Sequence, residues 1–169
     1  WPLTPRDDLT SALDGNWVQV EKAVSNKLQA KAAAAGAPGV TPADVLQATR
    51  DSVRALMLIR AYRMRGHFHA KLDPLGLEPA KDHEELDPRS YGFTEADFDR
   101  KIFLDHVLGL EYGTLREIVA LCERTYCQTL GVEFMHISNG AQKAWIQERI
   151  EGPDKEISFT PEGRRAILL

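Results

Sequence analysis

Pro74, Pro79 and Pro88 are the feature that most limits how this chain can fold. Proline supplies no N–H to a helix interior or a central strand, so the acidic span from Leu72 to Phe93 cannot be regular throughout. It separates one long helix from a series of shorter ones. A connection of this length is expected either to carry function or to wrap another surface.

The long helix opens with Thr41 as N-cap and Pro42 at the first helical position, and it is expected to run to about His69. Leu46, Val53, Leu56 and Arg60, with Met57 and Met64, give it one wide apolar face. That face turns cationic near its end, where Arg60, Arg63, Arg65, His67 and His69 lead into the breaker Lys71-Leu72-Asp73-Pro74-Leu75-Gly76. Gly66 is about 1 kcal/mol worse than Ala in a helix, so fraying or a bend is expected there.

Upstream, Pro5 to Leu13 reads as a short helix capped by Thr4, and Trp17 to Ala33 as a helix with Val20, Val24 and Leu28 in register. Ala34 to Val40 is a linker. Downstream, Thr94 opens a short helix. Thr114 and Glu117 form a capping box before a helix from Ile118 to Leu130, with Ile118, Leu121, Cys122, Thr125 and Tyr126 on one stripe and Gly131 as its stop. Val132 to Ile137 is a short strand or extended segment, Asn139 to Ile150 a helix carrying Trp145, Ile146 and Arg149, and Glu156 to Phe159 an extended link. Thr160 then caps a last helix from Pro161. The fold class expected is mostly α, a multi-helix N-terminal domain with long irregular loops and at most short strands. Residues 1–40 form a helical segment and linker, and residues 41–169 the helical domain.

Of 169 residues, 43% are hydrophobic and 27% charged, as in an ordinary soluble domain. A net charge of −4 makes the arginine cluster a local feature of an acidic chain, which argues against nucleic acid as a partner. No apolar run approaches the ~20 residues that cross a bilayer. Cys122 and Cys127 match neither a paired-thiol motif nor a disulfide scaffold, so they read as core thiols in a reducing compartment. The first residue is Trp1, and the last helix stops at Ile167-Leu168-Leu169 without a cap. Both ends lead to the expectation of a piece of a longer polypeptide.

The chemistry available is sparse. His67 and His69, two apart, point about 200° away from each other on a helix, so no metal site is expected. No nucleophile stands in a catalytic context and no glycine-rich phosphate loop is present, so no catalytic or cofactor-binding residue is expected in this span. Asp82, His83, Glu84 and Glu85 read as a solvated edge. The basic cluster has two readings. It complements the macrodipole of its own helix, or Arg60, Arg63, Arg65, His67, Lys71 and Asp73 make anion or interdomain contacts through bidentate guanidinium bonds. Asp73, Glu84 or the remainder of the polypeptide are the expected partners.

The strings Asp51-Ser-Val-Arg-Ala-Leu-Met57, Arg65-Gly-His67, His69-Ala-Lys-Leu-Asp-Pro-Leu-Gly76, Gly131-Val-Glu-Phe-Met-His-Ile137 and Trp145-Ile-Gln-Glu-Arg-Ile-Glu151 carry a resemblance. In order and spacing, from Thr49 to Glu151, the chain resembles the N-terminal helical region of the first, decarboxylating component of the 2-oxoglutarate dehydrogenase complex in its bacterial form. The match is weaker before Val40. The resemblance implies a fragment of a larger α/β enzyme, homodimeric, dependent on thiamine diphosphate and magnesium. That enzyme decarboxylates 2-oxoglutarate and succinylates the lipoyl group of the second component in the citric acid cycle. It also implies a cytoplasmic location in bacteria, or the mitochondrial matrix in a eukaryote, and it puts the catalytic histidines and the cofactor motif downstream of the matching region. This piece would be scaffold, inactive alone. The rival reading is a non-catalytic helical protein-interaction module; a small self-contained enzyme built on His67 and His83 is a distant third.

Overall fold

The computed structural model describes residues 17–34, 41–77, 82–155 and 160–168. The helix expected over Pro5 to Leu13, most of the linker and the link from Glu156 to Phe159 lie outside them. Within them the fold is mostly α, with five helices, short 3-10 turns and one two-stranded sheet.

Helix α2 (Pro42–Arg65) is the central element. Thr41 caps it reciprocally: its hydroxyl accepts the Asp44 N–H at 3.2 Å, and the Asp44 carboxylate accepts the Thr41 N–H at 2.9 Å. No residue between Asp51 and Gly66 is exposed, so the C-terminal half of the helix is covered on every side while its first turns are open to solvent. Its most buried line is Ser52, Ala55, Leu58, Ile59 and Tyr62, and not the face expected from Leu46, Val53 and Leu56; Leu46 is 47% exposed. The buried line mixes the large Leu58, Ile59 and Tyr62 with small residues, which a reading of large apolar side chains alone passes over. Ser52, Ala55 and Ala61 let neighbouring elements approach the backbone.

The helix stops earlier than expected, at Arg65, and continues as a 3-10 turn over Gly66–His69. A Cβ placed on Gly66 would lie 2.6 Å from the Tyr126 Cβ on helix α3 (Leu115–Tyr126). Gly66 is therefore where two helices touch, and the bend expected there has a cause.

Helix α3 begins with its capping box, the Thr114 hydroxyl accepting the Glu117 N–H at 3.2 Å. It buries Leu115, Ile118, Cys122 and Tyr126, close to the expected stripe. It ends at Tyr126, four residues short of the expectation. The Gln128 carbonyl is taken by the Lys71 N–H at 2.8 Å, and Gly131 packs against His67 and Leu72, so the chain must leave the helix to make these contacts. Residues 132–137 are not a strand; Phe134 enters the core from an irregular segment.

Sequence reasoning missed a hairpin. Strands β1 (Lys101–Phe103) and β2 (Tyr112–Thr114) pair antiparallel with Ile102 opposite Gly113. Three residues per strand is too short for an alternation to register. Helix α1 (Val18–Ala34) lies on α2 with Val24 buried, and its Lys27 and Lys31 form ion pairs with Asp105 and Glu111 of the hairpin loop. Helix α4 (Gly140–Ile150) starts where Asn139 accepts the Ala141 and Gln142 N–H groups, and α5 (Pro161–Leu168) where the Thr160 hydroxyl accepts that of Gly163. Both helices follow the expected boundaries.

The proline-rich connection wraps this chain's own core. Two 3-10 turns, Glu84–Leu86 and Pro88–Tyr91, bring Leu86, Tyr91 and Phe93 against α2. The Tyr62 hydroxyl donates to the Leu86 carbonyl at 3.2 Å and the Tyr91 hydroxyl to that of Glu85 at 2.8 Å. Thr94 opens a 3-10 turn, Glu95–Asp97, where a short helix was expected.

Candidate functional site

The cationic end of α2 is the most elaborate polar arrangement among the described residues. Arg63 forms a bidentate pair with Glu151, both N···O distances 2.7 Å, and Glu151 also accepts the Tyr126 hydroxyl. The carboxylate is 5% exposed and the guanidinium 18%. Burial opposes the arginine's charge, but the hydrogen bonds and the charge of Glu151 outweigh it and hold the guanidinium above its ordinary value. Burial, then the charge of Glu151, pushes the Tyr126 phenol well above the tyrosine range. This is a closed three-member network in which the fork of Arg63 is already filled.

Arg65 reaches Glu85 with Nε 3.0 Å from the carboxylate, yet the atoms are not aligned for a hydrogen bond. The interaction is one of charge at close range and not of a directed hydrogen bond. Glu85 is 8% exposed, so the expected solvated edge at Asp82, His83, Glu84 and Glu85 holds for Asp82 but not for Glu85. His67 Nε2 lies 3.5 Å from Glu133, and its buried Nδ1 has no hydrogen-bond partner among the described residues. Arg60 is half-buried on α2. Lys71 is exposed and uses its backbone N–H, while Asp73 builds a turn by accepting the Leu75 N–H at 2.9 Å and that of Leu77. Arg63, Arg65 and His67 thus meet carboxylates of this same chain, Glu151, Glu85 and Glu133 respectively. Nothing local in the sequence singled out these three glutamates, because each pairing spans a fold-level distance along the chain. A third buried carboxylate, Asp51, accepts Gln47 at 3.0 Å and pairs with Arg100 at 2.7 Å.

Two clefts flank this cluster. One, of about 380 Å³, lies between His69, Asp82, His83, Glu84, Asp87 and Glu123. The other, of about 700 Å³, opens beside the Arg63–Glu151 pair and is walled by residues 105–109 and 151–155. Its first wall holds Asp105, His106 and Leu108 in the left-handed region, at φ 52°, 66° and 58°. Neither cleft offers a nucleophile beside a base. Burial pushes the Cys127 thiol up to about 11 and Cys122 further still, so both behave as core thiols. Among the described residues no group of three or more His, Cys, Asp or Glu side chains could hold a metal ion, and no helix is long and apolar enough to cross a membrane.

No family model matches the chain. Curated relatives do. The 2-oxoglutarate dehydrogenase E1 component of Brucella anthropi is 62% identical over 174 residues, which cover 99% of this chain and 17% of that protein. The proteins of the same name from Brucella canis and Brucella suis are 62% identical over 175 residues, with the same coverage. The chain thus spans 17% of the length of the curated relatives it matches. The long helix, its cationic end and the glutamates that meet it all lie inside the matched region, and the chain corresponds in sequence, along nearly all of its length, to the N-terminal part of the 2-oxoglutarate dehydrogenase E1 component.

Proposed function

We propose that this chain is the non-reacting N-terminal region of an enzyme that decarboxylates 2-oxoglutarate and passes the succinyl group to the lipoyl arm of a second component, in the citric acid cycle of a bacterial cytoplasm. The observation that carries the reading is 62% identity across 99% of the chain. The whole enzyme would be a homodimer that uses thiamine diphosphate and magnesium, the cofactor supplying carbanion stabilisation when bound. The residues described here do not fit that cofactor. They offer no cluster of three metal-ligating side chains, and the arginine best shaped for a phosphate is already closed by Glu151. We assign the chemistry to sequence outside the described residues, whose part is to pack and hold.

The test uses the full-length polypeptide. It should reduce ferricyanide in a reaction that requires 2-oxoglutarate, thiamine diphosphate and magnesium together; a pure, folded full-length protein that shows no such turnover overturns the reading. Residues 1–169 alone should give no saturable heat of thiamine diphosphate binding in a calorimeter. Magnesium-dependent binding to that piece would move the cofactor site into it.

A further inference from the structure

The turn that follows the cationic end of α2 is ordered, yet it holds its apolar side chains out to water. Leu72, Leu75 and Leu77 are 55%, 77% and 78% exposed, and Phe68 and Leu130 beside them are 49% and 70% exposed. Leu72 comes close to the segment that carries Leu130. Leu130 adjoins Gly131, and the Leu72 side chain lies 3.5 Å from a Cβ placed on that glycine.

This is a built turn and not a slack loop. The Asp73 carboxylate accepts the N–H groups of Leu75 and Leu77, and the Asp73 carbonyl accepts that of Gly76 at 3.3 Å. Gly76 sits at φ 64° with nothing within 4 Å of a Cβ placed on it, so its glycine answers to backbone conformation and not to space. At the start of the turn, the Lys71 N–H donates to the Gln128 carbonyl at 2.8 Å and ties it to the end of α3. A loop free to move would fold its leucines inward. Here hydrogen bonds hold the backbone with the leucines facing outward, and several exposed large apolar side chains on one short turn mark a surface that another one covers. Because the turn is already ordered, covering it loses little further conformational freedom.

We propose that Phe68, Leu72, Leu75, Leu77 and Leu130 form the surface on which this region docks against the remainder of its own polypeptide. The inference rests on the functional reading above, since the relatives extend far beyond the matched 17% of their length and supply the occupant. The occupant's chemistry is apolar, because the side chains that the turn holds outward at Leu72, Leu75 and Leu77 are leucines, while the Asp73 carboxylate accepts N–H groups of the turn itself.

Hydroxyl-radical footprinting of the wild-type full-length protein, read by mass spectrometry at Leu75 and Leu77, tests this without a mutation. Oxidation there should be roughly tenfold slower or more than at the same residues in the urea-unfolded chain, as for a buried side chain, and unchanged on dilution. Folded and unfolded rates that agree within about twofold would leave the surface open and overturn the proposal. Protection lost on dilution would assign the surface to a second copy, and protection that appears only with the lipoyl-bearing component would assign it to that partner; either result overturns docking on the same polypeptide. Turnover of 2-oxoglutarate is measured on the same preparation. Protected leucines without turnover keep the docking surface and remove the enzyme reading, while turnover with open leucines does the reverse.

Discussion

Glu151 serves two elements at once, since its carboxylate binds the guanidinium of α2 and the phenol of α3. Removing one side of such a buried pair leaves a charge without compensation, a loss of about 3–5 kcal/mol. Arg63→Ala should therefore lower the opening free energy of α2 and α4 by that amount in native-state hydrogen exchange of the full-length protein, while Arg164→Ala on exposed α5 should change it by less than about 0.5 kcal/mol. Equal effects would reduce Arg63 to a solvated helix end. Tyr126→Phe removes one hydrogen bond to a charged group and keeps the pair, so a smaller loss of about 1.5–3 kcal/mol is expected. Gly66→Ala sets two effects against each other. Alanine gains about 1 kcal/mol in helical propensity, and a Cβ 2.6 Å from that of Tyr126 forces an overpacking of about 1–3 kcal/mol. The second should win, and a melting temperature that rises on this substitution would show that α2 and α3 can separate freely at that point.

At the scale of elements, three capping boxes share one chemistry. Asp44, Asp97 and Glu117 are each held below their ordinary values first by a backbone N–H of the capping threonine and then by its hydroxyl. A carboxylate depressed on folding contributes stability above its unfolded value and loses it as pH falls through the folded one. The melting temperature should thus be level down to about pH 5 and fall below about pH 4, and Glu117→Gln should make that fall shallower. These caps were legible in the sequence because a threonine and an acid three residues apart are local, and so were the starts of α2, α3, α4 and α5. The hairpin was not. Its loop places Asp105, His106 and Leu108 at positive φ, a conformation that Leu108 least of all announces. His106 is exposed there, so His106→Gly should raise the unfolding free energy by about 0.5–1 kcal/mol in a denaturant titration. The basic residues of the candidate site were also legible, since they lie within a few turns of one helix. Their partners were not, because Glu85, Glu133 and Glu151 reach them only through tertiary folding.

Over the whole molecule, α2 and the 3-10 turn that follows it form a post to which later segments are tied in turn: Arg65 to Glu85, Gly66 to Tyr126, His67 to Glu133 and Arg63 to Glu151. The order of these ties along the post is not the order in which their partners occur. This has a meaning for a chain that is still being made. Arg63 leaves the ribosome early, and its carboxylate is among the last residues of the described core to follow. Until Glu151 emerges, any native-like packing of α2 on α3 must enclose a bare guanidinium, which is prohibitive in an apolar surround. Protease resistance in a series of nascent chains should therefore rise in one step as position 151 clears the tunnel, and not gradually as each helix appears. In Glu151→Ala that step should be missing. A chain wired in this way postpones its own closure until nearly all of this region has been synthesised.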